Sequence, residues 1–250
     1  MRPIVEVFEN LENPDPNYAR LYGRFGYPDR IWPWSQLAQK SPRSSRFLDL
    51  GCGTGYVSVP LLKLGYDTIG VDANPQMLAI ARECCPELKT ICARIQQLNL
   101  GDRFDGVICS STLLNLCPIA ERERLLERAI AHLKPEGWLG IELFSSAWLK
   151  QATMFEDRQQ KVCCDFIDFE HQVWYGKVEY FFDDAHYLQR FFVNWLEEEQ
   201  LRAILDKWGL TICEQFAIEP LQSIYVARDR TVVNCTQKTL TAFSSAMQNS

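Results

Sequence analysis

The chain has few basic residues and histidines and no long apolar run. Its 250 residues include 26 lysines and arginines, 32 aspartates and glutamates and 3 histidines, for a formal net charge of -6. This balance gives no basic field to attract a nucleic acid. No segment reaches the roughly 18 apolar residues of a membrane helix, and Met1–Glu6 do not begin a signal peptide. We therefore expect a cytoplasmic protein that binds neither nucleic acid nor membrane.

The motif C-x-x-C is absent, although the chain has ten cysteines. Cys84–Cys85 and Cys163–Cys164 are adjacent pairs, which are too close to bridge easily. Cys52, Cys109 and Cys213 fall in the glycine loop or in predicted core strands. We expect free thiols in a reducing compartment, with neither a disulfide framework nor a metal site.

The most informative pattern is a glycine loop, Asp49-Leu50-Gly51-Cys52-Gly53-Thr54-Gly55, which follows a short apolar run. Glycines at alternate positions let the backbone turn tightly off a strand and approach a ligand closely. About 20 residues further on, the apolar segment Asp67–Val71 ends at Asp72, where a ribose needs a carboxylate acceptor. Loop and carboxylate together predict a nucleotide-like cofactor.

Short apolar strands alternate with amphipathic helices along most of the chain, which is typical of α/β proteins. Asn74 followed by Pro75 predicts a helix start, and helical spacing predicts further helices over 119–133 and from near Glu197. The fold class predicted is α/β: a doubly wound, mostly parallel, seven-stranded Rossmann-like sheet with an inserted aromatic-rich antiparallel cap. The predicted core strands lie near residues 47–50, 68–71, 90–92, 106–110, 139–143, 210–216 and 223–227.

The cap is predicted over residues 145–195, where thirteen aromatic side chains are concentrated. Period-two alternation predicts one strand with Phe169, His171 and Tyr175 on its apolar face, and further strands over 177–182 and 186–195. The set favours a substrate pocket above the strand ends, although an added sheet layer that only widens the core is the alternative.

In order along the chain, four segments resemble the class I S-adenosylmethionine-dependent methyltransferases of the small-molecule type. They are Phe47–Gly55, Val71–Leu78, Phe104–Ile108 and Leu133–Leu139. The resemblance covers residues 46–143, with a looser fit as far as residue 228. It implies S-adenosyl-L-methionine as the cofactor and methyl transfer as the reaction.

The resemblance also implies a set of cofactor-binding residues. Asp72 would hold the ribose hydroxyls, Met77 would lie against the adenine, and the N-terminal aromatics would cover the methionine end. Arg94 stands where the family usually has an acidic residue for the adenine amino group, so Arg94 would stack on the ring or leave recognition to the Ile95 amide. The full set is Tyr18, Tyr22, Asp49, Gly51, Cys52, Gly53, Gly55, Asp72, Ala73, Met77, Arg94, Ile95 and Ser110.

The acceptor is expected to be a small metabolite, natural product or short peptide, methylated on oxygen or nitrogen. Cys109-Ser110-Ser111-Thr112 lacks the Asn/Asp-Pro-Pro-aromatic motif of enzymes that methylate planar amide or base nitrogens. His171 is the candidate general base, although a buried histidine satisfied by a neighbour is the commoner situation. The predicted substrate-binding residues are Phe169, His171, Tyr175 and Tyr180.

Two other functions stay open at this point. An NAD(P)-dependent oxidoreductase would need G-x-G-x-x-G, but Tyr56 stands where its last glycine belongs, and Asp49 has no counterpart there. A catalytically inactive, methyltransferase-like binding subunit would use the cap as a partner surface. The sequence predicts no oligomeric state.

The predicted organisation has five parts. Residues 1–45 are a helical segment covering the cofactor, and residues 46–144 are the cofactor-binding core. Residues 145–195 are the cap, residues 196–230 the last helix and C-terminal strands, and residues 231–250 a polar tail.

Overall fold

Two β-sheets organise the chain in the structure, a computed structural model that describes residues 3–8, 15–29, 31–151, 154–218 and 222–233. The strands are β1 (Ile4–Val7), β2 (Arg46–Leu50), β3 (Asp67–Asp72), β4 (Lys89–Cys92), β5 (Phe104–Cys109), β6 (Leu133–Phe144), β7 (Phe155–Glu156), β8 (Gln160–Asp168), β9 (Val173–Phe181), β10 (His186–Asn194), β11 (Leu210–Ile218) and β12 (Gln222–Asp229). The helices are α1 (Pro16–Gly23), α2 (Trp34–Gln39), α3 (Ser58–Lys63), α4 (Pro75–Cys84), α5 (Leu113–Leu116), α6 (Ile119–Ala131), α7 (Ser146–Lys150) and α8 (Glu198–Lys207).

The larger sheet has the order β11-β12-β6-β5-β2-β3-β4. Strands β2 to β6 run parallel, whereas β12 pairs antiparallel with both β6 and β11. The strand order reverses between β2 and β5, and such a switch point leaves a ligand crevice outside the carboxyl ends of the strands. The predicted α/β fold class with a seven-stranded, mostly parallel sheet is confirmed.

The core lies on both faces of this sheet, as expected for central parallel strands. On β2, Phe47 packs in a cluster with Trp34 and Trp138, whereas Leu48 and Leu50 face a second cluster. All five side chains are almost wholly buried. The glycine loop therefore starts from a strand that is fixed on both sides.

The predicted helix starts are confirmed. The Asn74 side chain accepts hydrogen bonds from the backbone N–H groups of Gln76 and Met77, with Pro75 in the first turn. Glu197 caps α8 in a reciprocal pair with Gln200. Both caps satisfy backbone donors that a helix cannot satisfy itself.

The smaller sheet has the order β1-β10-β9-β8-β7 and forms the cap. Strands β7 to β10 pair antiparallel, and β1 adds to β10 in parallel. Strand β1 differs from the prediction that residues 1–45 form a helical segment. That segment contributes α1 and α2, but its first strand completes the cap.

The prediction of one strand across Phe169, His171 and Tyr175 is wrong. Strand β8 ends at Asp168, residues 169–172 turn, and β9 begins at Val173. The Asp168 carboxylate accepts the backbone N–H of His171 at 3.0 Å, which closes the turn. Side chains that make such local hydrogen bonds favour turns over strands.

Two buried side chains tie the cap to the core. Asn115 accepts the Phe144 N–H at 2.9 Å and donates to the Asn194 carbonyl at 3.0 Å. Arg122 donates to the same carbonyl at 3.0 Å. Because Asn194 ends β10 and Phe144 ends β6, the cap is held at the carboxyl edge of the larger sheet.

Within the described residues, no helix is both long enough and apolar enough to cross a membrane. The nine described cysteines are free thiols. Of the predicted polar tail, residues 234–250 lie outside the described ranges.

Candidate functional site

The glycine loop folds back on the neighbouring strand. The N–H groups of Gly51 and Cys52 donate to the Val71 carbonyl at 2.8 and 3.0 Å. Gly51 has φ +71°, and a Cβ there would lie 3.0 Å from the Leu113 side chain. A larger residue would therefore be strained and would also push Leu113 away, so the loop has a glycine there.

Asp72 joins this loop to the start of α4. One carboxylate oxygen accepts the Gly53 N–H at 2.8 Å, and the other accepts the Asn74 N–H at 2.8 Å. Burial raises the pKa of Asp72, and the backbone donors oppose that rise. Each carboxylate oxygen can accept more than one hydrogen bond, so Asp72 can still bind hydroxyl groups of a ligand.

Asp49 lies wholly buried at the base of the loop. Ser58 Oγ donates to its Oδ2 at 2.5 Å, whereas Oδ1 has no hydrogen-bond partner in the described part of the chain. Burial raises the pKa of Asp49 to about 7, and repulsion from Asp72 contributes to the rise. Hydrogen-bond donors on Ser58 and Ser110 oppose that rise in pKa.

Two adjoining cavities of about 270 and 130 Å³ lie on this loop. They share the lining residues Gly51, Asp72, Leu113 and Leu116. The larger cavity is lined by five of the predicted cofactor residues, Gly51, Asp72, Ala73, Arg94 and Ile95. The smaller is lined by Tyr18, Tyr22, Gly51, Cys52, Gly53, Asp72, Met77 and Ser110. We call these two cavities together the cofactor cleft. Every predicted cofactor residue except Asp49 and Gly55 lines it.

The 270 Å³ cavity holds an acidic residue that sequence reasoning missed. Glu121, at the start of α6, lines it together with Arg94. Its Oε2 accepts a hydrogen bond from Gln96 Nε2 at 2.9 Å. Arg94 and the Glu121 carboxylate therefore line the same cavity, although Glu121 lies on a different element and no local motif signals it.

A third cavity, of about 410 Å³, lies between the carboxyl edge of the larger sheet and the inner face of the cap. We call it the acceptor cavity. Gln160, Gln189 and Gln222 supply amide groups to its wall. Its apolar and aromatic lining comprises Tyr22, Tyr56, Leu116, Phe144, Trp148, Leu149, Val162, Trp174, Val178, Tyr180, Phe191 and Val193.

Glu142 is the single charged side chain among the described residues that line the acceptor cavity. It lies on β6 and is 8% exposed. Its one hydrogen bond within the described residues comes from the Ser111 N–H, at 2.9 Å to Oε2. Burial raises the pKa of Glu142 to about 7.

The backbone that supplies this donor is strained. Ser111 and Thr112 follow β5 with φ angles of +53° and +54°. Left-handed backbone is uncommon for a residue other than glycine, and is least expected for a β-branched one such as Thr112. Such strain concentrates at functional sites, and here it aims the Ser111 N–H at Glu142.

The cofactor cleft adjoins the acceptor cavity. The 130 and 410 Å³ cavities share four lining residues, Tyr22, Tyr56, Ser111 and Leu116. Tyr22 also donates from its hydroxyl to Gln189 Oε1 at 3.0 Å, which links α1 to the cap. A group transferred from one cavity to the other would pass this junction.

Of the predicted substrate-binding residues, Tyr180 lines the acceptor cavity. Phe169 and Tyr175 are 62% and 41% exposed and do not line it. The His171 side chain is 70% exposed in the β8–β9 turn, where Nδ1 lies 2.8 Å from an Asp168 carboxylate oxygen. The predicted placement of these three residues on a pocket face is wrong, because the turn reverses the chain before the alternation can continue.

The most important residue missed from the sequence is Glu142. It is the one acidic residue in the otherwise apolar run 138–144. A charged residue inside a buried strand is rare unless the charge is used or paired. The sequence alone shows this isolated acidic residue. Whether Trp174 and Phe191 point into the acceptor cavity depends instead on how β9 and β10 pair in the cap.

Comparison with known proteins shows that the residues around the larger sheet resemble methyltransferases. Residues 47–137 match a family model described as a methyltransferase domain. The putative methyltransferase YqeM of Bacillus subtilis is 27% identical over 186 residues, covering 66% of this chain and 75% of that protein. The dTDP-3-amino-3,6-dideoxy-alpha-D-glucopyranose N,N-dimethyltransferase of Streptomyces fradiae is 35% identical over 108 residues, so the match spans 42% of each chain.

Solved structures share the fold. An S-adenosylmethionine-dependent methyltransferase from Clostridium acetobutylicum superposes with a TM-score of 0.68 at 19% identity, covering 85% of this chain and 98% of that one. CalS10, an amino pentose methyltransferase from Micromonospora echinaspora solved with S-adenosylmethionine bound, gives a TM-score of 0.63 at 20% identity. That match covers 88% of this chain and 98% of CalS10.

Proposed function

Because this chain belongs to the class I S-adenosylmethionine-dependent methyltransferases, we propose that it methylates an oxygen or nitrogen of a small molecule held in the acceptor cavity. Family membership confirms the methyltransferase prediction over the oxidoreductase alternative. The observation that carries the proposal is the junction at Tyr22 and Ser111, where the cofactor cleft meets a second, larger cavity. A metabolite, natural product or short peptide end is the size of acceptor that such a cavity takes.

The residues of the cleft fit S-adenosylmethionine. Asp72 offers a carboxylate to the two ribose hydroxyls, and the bare backbone of Gly51 leaves room for close approach. The unpartnered Oδ1 of Asp49 lies beneath the loop, and no lysine or arginine is among the described residues lining the 130 Å³ cavity. This electrostatic character suits a ligand that carries a sulfonium and an ammonium group.

Each end of the cofactor has candidate contacts in the cleft. Tyr18, Tyr22 and Ser110 would hold the methionine end, and Arg94 and Ile95 the adenine end. When bound, S-adenosylmethionine supplies an electrophilic methyl group on a sulfonium that departs as a neutral thioether. The protein's own residues align the acceptor with that group and exclude water from it.

Alignment is the main source of rate in this proposal. Holding two reactants in line can supply about 7 to 11 kcal/mol of the activation barrier. The buried side chains of Trp174, Val178 and Val193 give the acceptor cavity rigid walls. Tight binding of the sulfonium charge would oppose its loss, so the walls contribute by orienting the acceptor.

A transfer assay with a blocked cavity tests this function. The protein is incubated with S-adenosylmethionine labelled on its methyl group and with a panel of small amines, alcohols, carboxylic acids and short peptides. We expect label in a product, with one S-adenosylhomocysteine released per methyl. Val178→Phe, which fills the acceptor cavity, should reduce transfer at least tenfold and leave S-adenosylhomocysteine affinity unchanged.

Lys177→Phe is the matched control, because Lys177 precedes Val178 on β9 and points to the opposite face. Its transfer rate should stay within about twofold of the unchanged protein. S-adenosylhomocysteine binding without transfer to any acceptor would support the inactive binding subunit instead. Equal transfer by both variants would show that the acceptor binds elsewhere.

A further inference from the structure

Resting on the proposed function, we propose that Glu142 binds the protonated nitrogen of the acceptor and removes its proton, so that the methylated group is a small-molecule amine. The inference narrows the acceptor from oxygen or nitrogen to an amine nitrogen. It also assigns the catalytic role that His171 does not have the position to fill.

The first support is the charge of the acceptor cavity. Glu142 is the one charged side chain among the described residues lining it. The other titratable groups of the lining are the phenols of Tyr22 on α1, Tyr56 in the glycine loop's continuation and Tyr180 on β9. No lysine, arginine or histidine of the described chain lines the cavity to balance the carboxylate. An ammonium group would supply the missing positive charge.

The second support is that the Glu142 carboxylate has few hydrogen-bond partners within the described residues. Its hydrogen bond from the Ser111 N–H is the one interaction given to it by the described residues. Removing a carboxylate from water without a partner costs several kcal/mol. A neutral hydroxyl acceptor would leave that cost in place, whereas a cationic acceptor would offset it.

The third support is position. Ser111 lines both the cofactor cleft and the acceptor cavity, and it holds Glu142 through the strained backbone after β5. The carboxylate is thereby fixed beside the junction between the two cavities. The raised pKa of Glu142, about 7, suits a group that must accept a proton near neutral pH.

The proposed step balances in atoms and charge. The ammonium gives one proton to the Glu142 carboxylate, which leaves a neutral amine with a free electron pair. That pair forms the new nitrogen–carbon bond while the methyl–sulfur bond breaks, and the electrons of the broken bond stay on sulfur. The methylated nitrogen carries the positive charge afterwards, and Glu142 passes its proton to solvent when the product leaves.

The first test compares Glu142→Gln with the unchanged protein on pairs of acceptors that share a scaffold, such as phenethylamine with phenethyl alcohol and an amino sugar with its hydroxyl analogue. We expect methylation of amines over the matching alcohols. Glu142→Gln should lower kcat/KM for an amine by about 10²- to 10⁴-fold at pH 7 and leave S-adenosylhomocysteine affinity unchanged. Raising the pH should partly restore the rate, because the amine then deprotonates in solution.

The second test needs no turnover. Binding of an ammonium beside Glu142 lowers the pKa of that carboxyl, so titrating amine into the S-adenosylhomocysteine complex at pH 6 should release close to one proton. Calorimetry in buffers of different ionisation enthalpy measures that release. Glu142→Gln should release none, and Glu142→Asp, which keeps a carboxylate, should release protons even if turnover falls. Glu136→Gln, on the exposed part of β6, is the matched control.

The outcomes separate the inference from the proposed function. Normal amine turnover and normal proton release in Glu142→Gln would overturn the inference, as would methylation of alcohols or acids in place of amines. S-adenosylhomocysteine binding without methylation of any amine in the panel would also overturn it. Failure to bind S-adenosylhomocysteine at all would overturn the proposed function itself. If Glu142→Gln does not fold, the Glu142→Asp proton release and the amine preference of the unchanged protein decide.

Discussion

The backbone N–H of Gly53 donates a hydrogen bond to the Asp72 carboxylate at 2.8 Å. This bond joins the loop after β2 to the end of β3, so the two features recognised in the sequence form one structural unit. Asp72 is therefore both a brace for the loop and a carboxylate of the cofactor cleft.

Replacing Asp72 by alanine should weaken cofactor binding. The change removes a charged acceptor for hydroxyl groups, and hydrogen bonds to charged groups contribute about 1.5 to 3 kcal/mol. We expect S-adenosylhomocysteine affinity to fall by about 10- to 150-fold in isothermal titration calorimetry. Asp67→Ala, at the opposite end of β3, is the control and should leave the affinity unchanged. Equal affinities for the two variants would exclude Asp72 from the ribose site.

Asp49 should make the ligand-free protein less stable as the pH rises. Its pKa is raised from 3.8 to about 7, so between those values the folded chain keeps a proton that the unfolded chain releases. Stability from this group is therefore lost as the pH climbs from about 4 to 7, by roughly 4 kcal/mol in total. About 2 to 3 kcal/mol of that loss falls between pH 5 and pH 8.

Asp49→Asn removes this titratable group and tests whether Asp49 makes the protein less stable as the pH rises. Urea unfolding without ligand should show the variant gaining about 2 to 3 kcal/mol on the unchanged protein between pH 5 and pH 8. Glu142 titrates in both proteins and cancels in the comparison. A difference that does not vary with pH would mean that Asp49 stays charged throughout this range.

Phe191 and Phe192 are neighbours on β10 that point to opposite faces of the cap. Phe191 lines the acceptor cavity, whereas Phe192 is 45% exposed on the outer face. Phe191→Ala should raise KM for the acceptor at least several-fold, because it widens the cavity and removes a contact. Phe192→Ala should leave KM and S-adenosylhomocysteine affinity unchanged. If the two variants have the same kinetics, the inner face of the cap does not bind the acceptor.

His171→Ala should have almost no effect on turnover. The imidazole lies in an exposed turn paired with Asp168, and it does not line the acceptor cavity. We expect kcat within about twofold of the unchanged protein, since surface substitutions away from special features have small effects. A fall of about 10²-fold or more, with alkaline rescue, would restore His171 as the general base.

The cofactor side of the molecule could be predicted because its signals are local. The glycine loop lies between two apolar strands, Asn74 and Pro75 mark the next helix, and Asp72 ends the strand before them. Each feature follows from a few consecutive residues. The structure places nearly all of the predicted residues in one cleft.

The acceptor side could not be predicted to the same degree, because it depends on pairings across long distances in sequence. Strand β1 joins the cap by pairing with β10, whose residues lie far along the chain. The alternation of apolar and polar residues over 167–175 is compatible both with one continuous strand and with two strands joined by a turn. The hydrogen bond from the His171 N–H to the Asp168 carboxylate, which forms the turn, decides between them. Glu142 becomes a cavity residue only once α1, the cap and β6 meet.

A crystal structure with S-adenosylhomocysteine tests the central claim most directly. We predict that the nucleoside occupies the 270 and 130 Å³ cavities with its ribose on Asp72, and that the sulfur lies at the junction lined by Tyr22 and Ser111. The acceptor cavity should then open directly onto the sulfur. A ligand bound away from Asp72, or a sulfur walled off from the acceptor cavity, would contradict the account.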